Sequence, residues 1–274
     1  GIVFLLRRAG IIGPDTSINK ASPNTLDKAE AIVRELDGFP LALNQAAAYI
    51  QETQCSLDGY LQRYREHRLV LLRGRGDLIY EHSQHATTTL RLSFQKVEQI
   101  NLIAADLLRL CAFFAPEAIP EEILTESADK FGPTLQRVAA NLTELNRAIQ
   151  GLCKFSLVER DLETRTLTIH RLVQAIIRDE MDEQTQREWA ERAVRAVSTI
   201  FPFPDSTNQD RCRRYLTHAQ VSINLIDQWG FYFTEAAGLL NNVGYYLLQH
   251  EEHDQVESLH QRALAIREEV LGPD

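Results

Sequence analysis

Residues 157–181 have the sequence Leu157-Val-Glu-Arg-Asp-Leu-Glu-Thr-Arg-Thr-Leu-Thr-Ile-His-Arg-Leu-Val-Gln-Ala-Ile-Ile-Arg-Asp-Glu-Met181. Two β-compatible runs, Leu157–Asp161 and Thr166–Ile169, flank a polar turn and predict a β-hairpin. Apolar residues at helical spacing follow at once, so His170 lies at a strand-to-helix corner. A histidine placed there either caps the helix or contacts a ligand beside the unpaired N–H groups of its first turn. The local sequence favours the cap and leaves the ligand contact open.

The totals indicate a folded chain of more than one unit. At 274 residues the chain is long enough for two or three compact cores. Its 29 Lys and Arg against 38 Asp and Glu give a formal charge of −9, which disfavours nucleic-acid partners in the absence of a local basic face. Four widely spaced cysteines predict reduced thiols rather than disulfides or zinc ligands: Cys55, Cys111, Cys153 and Cys212.

The chain begins with a short apolar run, Gly1–Leu6, followed by Arg7 and Arg8. This run is too short to span a membrane and lacks the flanks of a signal peptide. We therefore expect a cytoplasmic protein without a membrane partner. Because both ends interrupt patterned sequence, we also expect the chain to be part of a longer protein.

The first 75 residues predict a helical domain. Gly38 is expected to close one helix as a left-handed C-cap residue, and Pro40 to open the next, since its fixed φ and missing N–H suit a first helical turn. Another helix is expected at about 57–71. The loop Arg73–Asp77 then marks a domain boundary, so residues 1–75 form the first predicted domain.

Residues 76–182 predict a winged-helix domain. Helices are expected at about 87–97, 100–113, 119–128 and 134–151, ahead of the hairpin. Helices followed by a two-stranded wing are typical of this fold, which binds DNA in some proteins and serves as a packing module in others. The fold by itself does not decide between these functions.

Residues 183–274 predict a helical linker and the start of a repeat array. Thr185 and Glu188 have capping-box spacing, and two further helices are expected at 234–249 and 253–271. The fold class is therefore mainly α: a helical domain, a winged-helix domain with a small β-hairpin wing, and α-α repeat hairpins. The last hairpin carries the pattern of a tetratricopeptide repeat in Leu239–Tyr246, Ala263–Arg267 and Leu271–Asp274, with Gly244 allowing close helix approach.

Three features in this order resemble the regulatory half of the NB-ARC branch of the STAND signalling ATPases: Phe4–Gly10, Leu36-Asp-Gly-Phe-Pro-Leu-Ala-Leu43 and Ile169-His-Arg-Leu-Val173. The repeat is similar to those of kinesin light chains. In that family the helical and winged-helix domains follow a P-loop nucleotide domain. The resemblance implies that Pro40 packs against the adenine of ADP or ATP and that His170 contacts the β-phosphate of ADP. The family usually has methionine before this histidine and aspartate after it, whereas this chain has Ile169 and Arg171.

The sequence contains no Gly-x-x-x-x-Gly-Lys-Ser/Thr motif and no apolar strand ending in paired acids. We therefore expect no catalytic residue and no ATP hydrolysis by this chain alone, with nucleotide held mainly by a domain outside it. His82 and His85 lack a converging set of carboxylates and cysteines. His250 and His253 lie in a link between helices, whereas a zinc-protease motif needs histidines four residues apart on one helix face, so no metal site is predicted.

The resemblance predicts a regulatory and sensor-proximal part of a STAND-type ATPase. This part would close over ADP at rest and couple partner sensing by the repeats to nucleotide exchange. The expected partners are the nucleotide-binding domain of the parent, a protein ligand of the repeats and a homo-oligomer on activation. The alternatives are a winged-helix transcription regulator with a repeat ligand-binding domain and a purely helical interaction scaffold. Against DNA binding, the helix at 134–151 carries only Arg137 and Arg147 against Glu144.

Overall fold

A computed structural model of the chain describes residues 1–74, 81–251 and 255–272, without the side chains of residues 69–74, 81–85 and 271. These residues are mainly helical, with one small antiparallel sheet, which confirms the predicted fold class. The chain divides into two compact units. The first unit comprises Gly1–Ala105 and Ile149–Glu159, and the second comprises Asp106–Ala148 and Arg160–Asp274.

The helices of the described residues, in chain order, are α1 Ile2–Arg8, α2 Pro23–Glu35, α3 Pro40–Thr53, α4 Leu57–Gly74, α5 Glu81–Ile100, α6 Leu102–Cys111, α7 Glu121–Glu126, α8 Pro133–Ala139, α9 Leu142–Lys154, α10 Arg171–Asp179, α11 Glu183–Ile200, α12 Gln209–Trp229, α13 Thr234–Gln249 and α14 Val256–Leu271. The strands are β1 Ile119–Pro120, β2 Glu159–Asp161 and β3 Thr166–Thr168. Single 3₁₀ turns occupy Ile18–Lys20 and Ala128–Lys130.

In the first unit, local signals set the ends of α2. Ser22 caps its start, with Oγ accepting from the Thr25 N–H at 3.1 Å, and Pro23 occupies the first helical position. At the other end Asp37 and Gly38 adopt φ of 51° and 64°, and the Gly38 N–H donates to Val33 O at 2.9 Å. The predicted left-handed closure at Gly38 is therefore confirmed.

The sheet contains the predicted hairpin and one additional strand. The strand order is β1-β3-β2, and β1 pairs antiparallel with β3 through Ile119 with Leu167 and Pro120 with Thr166. Asp161 Oδ1 accepts from the N–H groups of the turn residues Glu163 and Thr164, at 2.8 and 3.2 Å. The sequence did not reveal β1, because a two-residue strand is too short to show a period of two.

Three predictions about helices were wrong: one concerned a break, one the type of element and one a capping residue. The helix expected at 134–151 is two helices, α8 and α9, because Asn141 Oδ1 accepts from the N–H groups of Thr143 and Glu144 and starts a new helix. The helix expected at 119–128 is replaced by β1, α7 and a 3₁₀ turn. Helix α11 is capped by Asp182, whose Oδ1 accepts from the Thr185 N–H at 2.7 Å, rather than by Thr185.

Helices α13 and α14 form a hairpin in the second unit, at the predicted place. A Cβ added at Gly244 would lie 3.1 Å from His260 Cε1 and 3.4 Å from Leu259 Cβ, so the glycine permits a close crossing. Ala263, the first residue of the second part of the predicted repeat pattern, is 2 % exposed. Parts of Arg73–Asp77, His250–His253 and Leu271–Asp274 lie outside the described residues, as do the side chains of His82 and His85. The domain boundaries at 75/76 and 182/183 stay predictions.

Across the described ranges, none of the helices has both the length and the apolar character that crossing a bilayer requires.

Candidate functional site

The candidate site in the second unit is the corner between β3 and α10. Ile169 is 1 % exposed, and its N–H donates to Pro116 O at 2.9 Å, which fixes the backbone just before the corner. His170 is the N-cap residue of α10, with φ −63° and ψ 137°, and its Nδ1 accepts from the Leu172 N–H at 3.1 Å. The imidazole itself is exposed. The corner therefore presents an ordered ring to solvent.

The capping bond decides which ring nitrogen of His170 can act on a ligand. An amide N–H can only donate, so Nδ1 is the acceptor and the neutral ring carries its proton on Nε2. Within the described residues no partner engages this Nε2–H. The cap and a ligand contact thus use different nitrogens, and the two interpretations of His170 are compatible.

Gln174 anchors α10 behind the corner. Its side chain is 3 % exposed, and Nε2 donates to Cys111 O at 3.1 Å and to Phe114 O at 3.0 Å. Both carbonyls lie at the end of α6 or just after it, so one amide holds α10 to that segment. Sequence analysis missed this residue. The sequence signal that could have revealed Gln174 is a polar side chain within the apolar stripe that contains Val173 and Ile177.

Arg171 follows His170 in the chain and is also exposed. It supplies a positive charge one residue after His170, at the position where the resembled family has an acidic residue. An anion is therefore the ligand class that the charges of this corner favour.

Pro40 belongs to the first unit. It occupies the first position of α3, after Phe39, whose side chain makes no capping hydrogen bond. The Pro40 ring is exposed. The flat prolyl surface is therefore open to a ligand, whereas Ala42 in the same first turn of α3 is fully buried. The helix-start role predicted for Pro40 is confirmed, and its contact with adenine stays a prediction.

Arg8 ties three segments of the first unit together. Its guanidinium donates to Asn44 Oδ1 at 3.3 Å, Gln51 Oε1 at 2.6 Å and Ser156 Oγ at 2.8 Å. The buried Gln45 also donates to the Ser156 carbonyl. From the sequence, Arg8 was identified only as part of the Phe4–Gly10 motif. Its structural role depends on residues up to 148 positions away.

His218 of α12 is a buried histidine that sequence analysis also missed. It is 2 % exposed, its Nδ1 accepts from the Ala115 N–H at 3.2 Å, and its Nε2–H donates to Ala118 O at 3.1 Å. Burial lowers the pKa of His218 to about 4, so the ring is neutral at physiological pH. The sequence signal that could have revealed His218 is its helical spacing from Tyr215 and Ser222, with which it shares the buried face of α12.

In residues 1–74, 81–251 and 255–272, no group of three or more His, Cys, Asp or Glu side chains is arranged to hold a metal ion. None of the four cysteines, all of which lie within the described ranges, forms a disulfide, and Cys111 and Cys212 are buried.

The corner at His170 lies within a segment that matches a family model. Residues 95–186 match a family model described as "Domain of unknown function (DUF7779)". Over 259 residues the chain is 28 % identical to a "Nucleotide-binding leucine-rich repeat (NLR)-like protein" of Hyaloscypha variabilis (strain UAMH 11265 / GT02V1 / F). The chain is a distant relative of an NLR-like protein. The alignment covers 90 % of this chain and 24 % of that relative, so the chain spans about a quarter of the relative's length.

The relationship to the NLR-like protein extends along 90 % of the chain. It supports the coarse part of the resemblance, a protein related to NLR and STAND signalling proteins. The winged-helix and tetratricopeptide identifications rest on the sequence pattern.

Proposed function

We propose that the chain is the regulatory and sensor-proximal part of a STAND-type signal-transduction ATPase. The observation that carries this proposal is its similarity to an NLR-like protein over 90 % of its length. In this proposal the nucleotide is held mainly by a P-loop domain outside the chain. The chain contributes a lid, and it does not hydrolyse ATP alone because its sequence contains no P-loop.

In the resting state the Nε2–H of His170 donates to the β-phosphate of ADP, and the Pro40 ring packs against the adenine. The geometry of the corner supports this role, since the cap at Nδ1 leaves Nε2 as the donor and Gln174 holds α10 in place. A hydrogen bond to a charged group contributes about 1.5–3 kcal/mol, which corresponds to roughly a tenfold to hundredfold effect on ADP retention.

Activation is a shift between two arrangements of the lid. A protein ligand bound by the helical segment after α10 favours the open arrangement, ADP is exchanged for ATP, and the opened protein assembles into a homo-oligomer. The ligand acts only by its preference for one arrangement over the other, so its differential affinity sets the size of the response.

The test measures ADP release from the full-length protein that contains this chain, with a fluorescent ADP analogue. His170→Asn keeps an acceptor for the Leu172 N–H, but its amide N–H₂ lies about one bond length short of the position of Nε2. The phosphate contact should be lost, and release should become at least about tenfold faster. Asp182→Asn is the matched control, because it changes another exposed N-cap residue and keeps its cap. An unchanged release rate in His170→Asn rules out the phosphate contact.

Two further observations separate this proposal from its alternatives. A P-loop encoded upstream of Gly1 is required here and is absent from a purely helical scaffold. A transcription regulator requires salt-sensitive DNA binding, which we do not expect, because α8 and α9 expose Arg137 and Arg147 in a chain of net charge −9. A gel shift at low and high salt decides this point.

A further inference from the structure

An aromatic pair in the second unit is partly open to solvent, with Phe203 exposed and Tyr245 half-buried. Phe203, in the Pro202-Phe-Pro204 loop between α11 and α12, stacks on Tyr245 of α13 with ring centroids 4.8 Å apart and planes 25° apart. Phe203 is 54 % exposed, and Leu248, one turn after Tyr245 on α13, is 44 % exposed. Phe203, Tyr245 and Leu248 are called the aromatic patch below. Contiguous exposed apolar groups of this kind often mark an interaction surface.

Hydrogen bonds hold the loop that carries Phe203 in one conformation. Asn208 Nδ2 donates to Phe203 O at 2.9 Å, and Asn208 Oδ1 accepts from the Asp205 N–H at 3.0 Å. Gln209 Nε2 donates to Asp205 O at 2.8 Å and to Gln249 Oε1 of α13 at 2.9 Å. The position of Phe203 over Tyr245 is therefore set before any partner arrives, which reduces the entropic cost of binding.

The charges beside the aromatic patch are acidic. Asp205 lies two residues after Phe203, and Glu251 lies three residues after Leu248 at the end of α13, with the Glu251 backbone nitrogen 3.4 Å from Leu248 O. Hydrogen bonds from Thr207 lower the pKa of Asp205, so this carboxylate stays ionised. In the described part of the chain, no cation forms an ion pair with Asp205 or Glu251. Asp210, further along, is shared with Arg213 at 3.3 Å.

We propose that the aromatic patch binds a cationic segment of a partner protein, with an arginine or lysine side chain lying over the Phe203–Tyr245 pair and its charge facing Asp205 and Glu251. The faces of aromatic rings attract cations, and the two carboxylates add an attraction of the same sign. An acidic segment is repelled by these carboxylates, and a purely apolar one leaves them without a partner. The inference rests on the proposed function only in assigning partner sensing to the segment after α10.

The experiment measures the fluorescence anisotropy of two labelled peptides with the 274-residue chain. The cationic probe is Gly-Arg-Leu-Arg-Gly-Arg-Leu-Arg, and the acidic probe has glutamate in place of each arginine. We expect saturable binding of the cationic probe alone, weakened by added salt because exposed charges are screened.

Variants locate the binding on the aromatic patch. Phe203→Ala and the double variant Asp205→Asn, Glu251→Gln should each weaken binding of the cationic probe by about tenfold, and Phe203→Leu should weaken it because leucine keeps the apolar surface but has no aromatic face. Tyr232→Ala is the matched control. Tyr232 is another aromatic residue of the second unit, is 60 % exposed and lies outside the patch, so its removal should leave binding unchanged.

Several outcomes overturn the proposal: no binding of the cationic probe, equal binding of both probes, or equal losses in Phe203→Ala and Tyr232→Ala. Self-association of the chain that Phe203→Ala abolishes, seen in sedimentation, shows instead that a second copy occupies the patch. ADP release from the full-length His170→Asn protein is an independent readout. Peptide binding without an effect on ADP release retains this inference and refutes the His170 role, and the reverse result refutes this inference alone.

Discussion

Arg160 of β2 donates two hydrogen bonds to Glu121 of α7, from Nε to Oε1 at 2.5 Å and from Nη2 to Oε2 at 2.8 Å. The side chains are only 18 % and 10 % exposed. A bidentate pair in this setting is geometrically specific, and it fixes the start of α7 to the wing strand within the second unit. The wing is thereby held to the helices that precede it.

Removing one partner of this pair should destabilise the protein strongly. Arg160→Leu leaves the Glu121 carboxylate buried without its counter-charge, and we expect a loss of about 3–5 kcal/mol in the free energy of unfolding. Arg211→Gln is the control, because its pair with Glu126 is 51 % and 53 % exposed, and it should cost less than about 1 kcal/mol. Urea unfolding followed by circular dichroism measures both, and similar losses in the two variants contradict the prediction.

His170 should contribute to stability through its cap, separately from any ligand. His170→Ala leaves the Leu172 N–H without an acceptor, and we expect a loss of about 1 kcal/mol. His170→Asn should be at least as stable as the wild type, since asparagine is a better N-cap residue. Denaturant midpoints of the two variants test this pair of expectations. A loss in His170→Asn equal to that in His170→Ala shows that the ring is held by contacts other than the cap.

Two glycines of α13 should respond oppositely to alanine. A Cβ at Gly238 meets nothing within 4 Å, so Gly238→Ala should stabilise the protein by about 0.5–1 kcal/mol through helix propensity. A Cβ at Gly244 lies 3.1 Å from Cε1 and 3.2 Å from Nε2 of His260, so Gly244→Ala should lose this gain and destabilise. Adding His260→Ala to Gly244→Ala tests the cause, because it removes the ring that the new methyl group meets. Thermal unfolding midpoints are measured for Gly238→Ala, Gly244→Ala and the double variant. Equal increases in the midpoint for Gly238→Ala and Gly244→Ala refute the close crossing.

Local signals predicted some elements well and failed for others. Gly38 and the bounds of α13 were predictable because a left-handed glycine and a helical period act within a few residues. The break between α8 and α9 was missed because the apolar period continues across it, while the deciding group is the Asn141 side chain. Strand β1 forms only by pairing with β3, which lies almost 50 residues later.

The corner at His170 was predictable for a similar reason. The change from a period of two to a helical period occurs at that residue, so its position follows from the chain alone. The hydrogen bond that assigns the proton to Nε2 did not follow, because the capping geometry is visible only in three dimensions. Gln174 and His218 were missed because their partners are backbone groups 60 and 103 residues away.

The neutral state of His218 should make the protein sensitive to mild acid. Burial first, and then the nearby charge of Arg214, lower its pKa from 6.5 to about 4, while the ring packs edge-on against Phe114. Between these two pKa values His218 is protonated in the unfolded chain and neutral in the folded protein. The stability is therefore complete above about pH 6.5 and falls as the pH decreases towards 4, by about 3 kcal/mol in total.

The measurement is the free energy of unfolding in urea at intervals from pH 7 to pH 4, for the wild type and for His218→Gln. Glutamine has no titrating group, so its curve should lack this decline, even if its stability at pH 7 is lower. The carboxyl groups with lowered pKa values, those of Glu122 and Asp182 among them, lose their contribution mainly below about pH 4. The difference between the two curves therefore isolates His218, and parallel curves across this range show that the ring accepts a proton in the folded protein.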